Sequence, residues 1–375
     1  MSIWLIFLLT ILPHMGFACA RVTLSLFALH LGATPFTVGI IISLIAVVPM
    51  VFSVRWGRRI DRLGIYKPML FGSLLVLAGL LLAFALPRIE SLFAVSVLAG
   101  SGFMLYHICV NQAAALVGGP QDRTRNFSVL ALAFSTSGFI GPMTAGFAID
   151  SIGHRYTFLL SAGFIIVALA LIRYHKPVIS RHHRPIPHTA EKRVSDLLRI
   201  PAMLRIFIIS GLMSMCWDLY SFVMPIHGSS IGLSASTIGL ILGSFGSAIF
   251  VFRLILPWVV HRFDERKMLI AAMMLSGLML ALIPLVNSVA LLMTVSFVLG
   301  IGLGGTQPII MALLYEKAPP GRGAEAVGMR TLLLNITQAA IPMIFGALGA
   351  ALGMTPVFFA MGAALLWGAW YARRG

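Results

Sequence analysis

The chain has 375 residues, is 59% hydrophobic and only 10% charged, and carries a formal net charge of +16. With a mean hydropathy of +0.99 there is too little polar surface to cover soluble cores, which excludes a soluble enzyme or carrier. The pI near 10.9 would point to nucleic acid in a soluble protein, but here it needs another origin.

Apolar stretches long enough to cross about 30 Å of hydrocarbon recur from end to end. Twelve spans are predicted, at residues 4–30, 36–55, 68–87, 91–117, 127–149, 156–174, 203–227, 236–256, 267–286, 288–314, 326–350 and 354–372. The first starts without a basic run and holds only a weak cleavage signal before Arg21, so it reads as a retained helix rather than a signal peptide. The reading is an all-α polytopic membrane protein. Its expected parts are an N-terminal six-helix bundle (1–175), a cytoplasmic linker (176–200) and a C-terminal six-helix bundle (201–375).

Between the second and third spans lies "RWGRRIDRLGIYKP", with one acid, Asp61, among Arg55, Arg58, Arg59, Arg62 and Lys67. With the N-terminus in the cytoplasm, every Lys and Arg except Arg21, Arg88 and Arg155 falls in cytoplasmic loops, the linker or helix ends on that side. This is the positive-inside pattern, and it explains the basic pI without nucleic acid. It predicts a multi-pass protein of a bacterial-type cytoplasmic (inner) membrane, with both termini cytoplasmic and anionic lipid as a surface partner. Cys19, Cys109 and Cys216 fall inside predicted spans without paired spacing and read as packing residues. The linker's His182, His183 and His188 read as part of a solvated basic segment more readily than as a metal tract. No metal site and no cofactor are expected.

The chain repeats at an offset of 200. Gly32, Thr37 and Gly39 match Gly232, Thr237 and Gly239. Gly100, Gly102, Pro142 and Gly146 match Gly300, Gly302, Pro342 and Gly346, and Arg62 matches Arg262. Six spans per half preserve orientation between the copies, an arrangement found in transporters that rock two halves about a midplane site.

"GRRIDRLGIYK", with Gly57, Asp61, Arg62, Gly64 and Lys67 in register, resembles the loop 2–3 signature of the major facilitator superfamily. "GFIGPMTAG" resembles, at Gly141, Pro142 and Gly146, the fifth-helix Gly-Pro signature of the superfamily's proton-coupled antiporter (drug-efflux) branch; Gly138 opens the stretch. The resemblance implies the twelve-helix major facilitator fold. It also implies that the Asp61 loop packs against the N-terminal end of the eleventh helix, where Arg330 lies, latching the halves in the outward-open state. The glycines Gly57 and Gly64 would let the loop pack closely. In the second half the corresponding "HRFDERK" has shifted its acids to Asp264 and Glu265, and a weaker latch or none is expected there.

Ionisable groups at membrane depth are functional candidates. Arg21 lies in the first span and Asp218 in the seventh, and the repeat places them about one turn apart on pseudo-equivalent helices. They can pair directly, through substrate, or as a structural tie between the halves. His107 and Asn111 share a face of the fourth span, and His107 can carry protons or make a plain interhelical bond. Gln307 in the tenth span and Asn335 and Gln338 in the eleventh complete the candidate substrate and coupling set. The resemblance also leads to an arginine expected on the fourth span in the efflux branch; this sequence has none there, so Arg21 or His107 would have to stand in.

The preferred reading is a monomeric secondary active transporter, not an enzyme, exporting a small organic compound in exchange for protons by alternating access. The alternative is uptake or facilitated movement of a sugar, organic acid or siderophore-like compound. A polytopic membrane enzyme is the remote third reading, since no phosphate-loop, HExxH, GxSxG or CxxC motif is present.

Overall fold

The computed structural model describes residues 3–116, 123–176, 194–260, 262–319 and 322–373. The helices in chain order are α1 (Ile3–His30), α2 (Pro35–Leu63), α3 (Tyr66–Ala85), α4 (Ile89–Leu116) and α5 (Arg123–Tyr174), followed by a 3-10 turn at Val194–Arg199. The second half holds α6 (Pro201–Ser230), α7 (Ala235–Val260), α8 (Glu265–Leu282), α9 (Val289–Gly304), α10 (Thr306–Lys317), α11 (Gly323–Leu352) and α12 (Met354–Arg373). No strand occurs among the described residues.

Among the described residues, eleven helical segments are long and apolar enough to cross a membrane. One of them, α5, is two spans: at Gly153 the backbone turns to φ 83°, a conformation suited to glycine, and the chain doubles back. Counting its two limbs separately gives the twelve predicted spans. The tenth predicted span is broken at Gly305 into α9 and α10.

The second span runs further than expected. Arginine and leucine favour helix, so the charged run forms the last turns of α2 rather than a loop, up to Gly64 at φ 77°. Gly57 therefore lies on helical backbone, and the connection to α3 is only Gly64–Ile65. Further on, Asp264 caps α8 by accepting from the Lys267 N–H at 2.9 Å, so this acid of the second copy serves its own helix.

The offset of 200 holds in three dimensions. Gly32 and Gly232 both take positive φ, as do Gly153 and Gly353. Thr34 caps α2 through the Thr37 N–H at 3.2 Å, and Ser234 caps α7 through the Thr237 N–H at 3.2 Å. Within the first half Gly100 packs on the Ile45 backbone, and in the second Gly300 packs on Phe245. Small residues at such crossings let backbones meet closely in lipid, where dispersion replaces the hydrophobic drive between helices.

Two seams join the halves, and they are swapped copies of one another. In one, Gly39 and Pro35 of α2 meet Pro342 and Gly346 of α11. In the other, Gly239 and Ala235 of α7 meet Pro142 and Gly146 of α5. Both seams lie toward the end of the bundle bearing the 31–34 and 231–234 turns, called here the far end; the 3-10 turn and the C-terminus lie at the opposite, linker end. The α1–α6 contact adds a third crossing between the halves.

Candidate functional site

Asp218 sits more than three turns from either end of α6 and is 4% exposed. Arg21 of α1 is the charge that acts on it, and the Gln338 side chain of α11 approaches its carboxylate. Three helices from both halves thus converge on one acid. Arg21 is half-buried and makes no direct ion pair with Asp218. An ion pair within 4.0 Å does form between the exposed Lys317 and Glu316. The two charges act on one another from beyond ion-pair distance, and Gln338 is exposed.

The first half contributes an aromatic and imidazole wall. His107 of α4 stacks on Phe134 of α5 at 5.1 Å and neighbours Phe103 at 5.9 Å. His14 of α1 packs against the same two rings, at 4.9 Å and 5.5 Å, and Phe17 stacks on Phe103 at 3.9 Å. Asn111 donates to the His107 carbonyl at 2.8 Å and lies 3.3 Å from the His107 ring nitrogen Nδ1. The predicted His107–Asn111 pair is therefore a local bond within α4, and the neighbours of His107 across helices are rings. His14 Nδ1 is buried without a partner. The sequence reading passed over His14, although the rule that singled out Arg21, an ionisable group inside an apolar span, applies to it equally.

Arg330 of α11 is 7% exposed. Its Nε donates to Ser210 Oγ of α6 at 2.7 Å, one Nη bonds Gln307 Oε1 of α10, and the other lies 3.6 Å from Met311 Sδ. Gln307 is thus engaged at the linker-end side of the second half, below the Gly305 break, and not with Asp218. Asn335 is half-buried one turn from Gln338 on α11. The side chains of Gly57, Asp61 and Arg62 lie outside the described residues, so the latch shows only its α2 frame, Gly64 and Arg330. Arg253, counted among cytoplasmic-side charges in the sequence, reaches inward from α7. It donates to Ser135 Oγ of α5 at 2.6 Å and to the Gly304 carbonyl, where α9 ends, at 3.4 Å.

The Gly-Pro stretch has a divided role. Gly141 packs on Ala18 of α1 within its own half, while Pro142 and Gly146 face Gly239 and Ala235 of α7 in the other. A Cβ on Gly138 would meet open space.

This arrangement has relatives among known proteins. The sequence profile of the Major Facilitator Superfamily matches residues 6–229 and again 206–374. Sugar efflux transporter A of Escherichia coli K12 is 26% identical over 86% of this chain and 85% of its own length. The class H tetracycline resistance protein of Pasteurella multocida is 24% identical over 82% of this chain and 78% of its own. The multi-drug resistance efflux pump PmrA of Streptococcus pneumoniae is 24% identical over 87% and 82%. Among solved structures, a POT family transporter in complex with a thioalcohol-conjugated peptide superposes with a TM-score of 0.85 at 15% identity, covering 99% of this chain and 95% of that one. The nucleoside transporter NupG gives 0.80 at 12% identity, with 99% of each chain covered. Two six-span halves, swapped seams and a profile matching both halves lead to one conclusion: the chain belongs to the Major Facilitator Superfamily and is a multi-pass membrane transporter.

Proposed function

We propose that the protein exports a small organic compound from the cytoplasm in exchange for protons, working as a monomer by alternating access. The convergence of Arg21, Asp218 and Gln338 from both halves carries this reading. A carboxylate with a cation beyond ion-pair distance can bind either a proton or a substrate group. Rocking the halves changes its distance to Arg21 and its access to water, and therefore its proton affinity, which is the condition for coupling. The efflux relatives support the outward direction. The basic charge pattern supports an inner-membrane location with both termini and the linker cytoplasmic. On that orientation, the packed far-end seams support reading the structure as the inward-facing state.

The rings of His107, His14, Phe103 and Phe134 offer a surface on which a flat or apolar part of the substrate would lie. Asp61, Arg62, Gly57 and Gly64 with Arg330 form the latch of the opposite state. In this state Arg330 is held by Ser210 and Gln307 until the halves rock.

The test is transport in proteoliposomes under an imposed pH gradient, screened against sugars, amino acids, cationic dyes and siderophore-like chelators. Asp218→Asn is expected to abolish gradient-driven accumulation while keeping substrate exchange. Gradient-driven transport at the wild-type proton ratio in that variant would remove Asp218 from the coupling role.

A further inference from the structure

The two seams share their glycine and proline contacts but differ in their polar ones. At the far end of α5, Asp150 reaches across to the first turn of α7 in the other half. Its carboxylate accepts from the Ala235 N–H at 3.2 Å and from the Ser236 N–H at 2.8 Å. These donors belong to the first turn of a helix, where N–H groups lack intrahelical partners and the helix dipole is positive, so a carboxylate is favoured. The other seam has no counterpart. Position 350, the equivalent on α11, is alanine, and position 35, the equivalent of Ala235, is Pro35, which has no N–H to give.

Asp150 is also held rigidly on its own side. His154, one turn on, stacks with His30 at 4.7 Å and Phe27 at 5.6 Å of α1. Arg155 donates from Nε to the Phe84 carbonyl of α3 at 2.7 Å. The corner at Gly153 is thus tied to α1 and α3, and Asp150 projects from a fixed point of the first half to a fixed point of the second. Next to it Gly146 lies against the Ala235 carbonyl, so close that even a methyl group would collide. A carboxylate bridging two rigid bodies can keep both bonds only while the seam is shut.

We propose that Asp150 is a one-sided clasp that holds the far end closed, acting on the α5–α7 seam alone and released when the halves rock. Its residue role is positioning: it touches no substrate and sets the balance between the two access states. The proposal uses the alternating access of the function proposed above but neither its direction nor its coupling ion. Its test therefore needs no substrate and no pH gradient, and fails independently of that reading.

Spin labels at the pseudo-equivalent far-end positions Leu31 and Ile231, with the three cysteines replaced, report the far-end distance in nanodiscs. Asp150→Asn removes the charge. Ala235→Pro removes one donor while keeping a residue well suited to a helix start, as Pro35 is in the other copy. Each variant is expected to raise the population of the far-open distance about three- to tenfold. The double variant should shift it by less than the product of the two single changes, because both act on one contact. Asp150→Glu should restore most of the closed population. The thermal midpoint of the detergent-solubilised protein should stay near wild type in the single variants. Unchanged distance distributions in both single variants overturn the clasp, as does a double variant whose effect is the product of the two. A drop in thermal midpoint with unshifted distances would make Asp150 an ordinary helix cap and also overturns it.

Discussion

The glycines of the fifth-span signature offer a sharp test, because the structure separates two that the sequence treats alike. An ideal Cβ on Gly138 has no neighbour within 4 Å, whereas on Gly146 it falls 3.0 Å from the Ala235 carbonyl carbon and 3.0 Å from the Ser236 Cα, with the carbonyl oxygen nearer still. Carbon atoms prefer roughly 3.5–4.0 Å. The obstructing atoms are backbone, so no rotamer change can relieve the clash, and α5 and α7 must part by about half an ångström or more. Overpacking of this kind costs about 1–3 kcal/mol. Against it stands a gain of up to about 1 kcal/mol for replacing helical glycine with alanine. Gly138→Ala, with the gain and no clash, should melt at or slightly above the wild-type temperature. Gly146→Ala should destabilise the far-closed state relative to the far-open one by about 1–3 kcal/mol, roughly five- to 150-fold in population, since the helical gain applies in both states. The assay combines thermal melting in detergent with far-end distances between labels at Leu31 and Ile231. If Gly146→Ala and Gly138→Ala behave alike in both measurements, the seam is not a close-packed contact and the reasoning from it fails.

Arg21→Ala is expected to impair transport more than Asp218→Asn, since it leaves a buried acid without the cation that acts on it; equal or milder loss in proteoliposomes would place Arg21 outside the site. Asp61→Asn should insert normally yet turn over at least several-fold more slowly, because a bias of about 1.4 kcal/mol between states is already a tenfold population change. Wild-type initial rates in well-inserted protein would leave that acid with no conformational role. For orientation, Ser288→Cys should react with membrane-impermeant thiol reagent from outside intact cells and Ser180→Cys should not; the reverse pattern would invert the topology.

The spans and the repeat were legible in the sequence because hydrophobic length and a fixed offset are one-dimensional signals. The Arg21–Asp218 relation was legible for a related reason: charge in an apolar span is rare, and the repeat converts positions 21 and 218 into neighbours. The continuation of α2 through its charged run was not legible, since loop composition and helix propensity compete there and Gly64 settles the end. His14 was missed for want of a partner nearby in sequence; its neighbours Phe103 and Phe134 come from α4 and α5. Asp150 could not be read at all, because its donors lie 85 and 86 residues away and an acid at a helix end looks like ordinary topological charge. Gly138 and Gly146 differ only by what stands opposite them, and the linear sequence does not contain that information.

The swapped seams make the molecule resemble a homodimer whose two subunits have been fused end to end. In a true homodimer with a twofold axis, the surface is self-complementary and every substitution acts twice, so both contact strips carry equal strength. Fusion lifts that restriction. Here one strip has an alanine N–H and an acid to meet it, while the other has proline and alanine at the same two places. Strips of unequal strength do not part together under the same load. With Asp150 as a clasp, separation would start along α2–α11 and end along α5–α7, so the far end would open on one flank first, as a door does on the side away from its hinge.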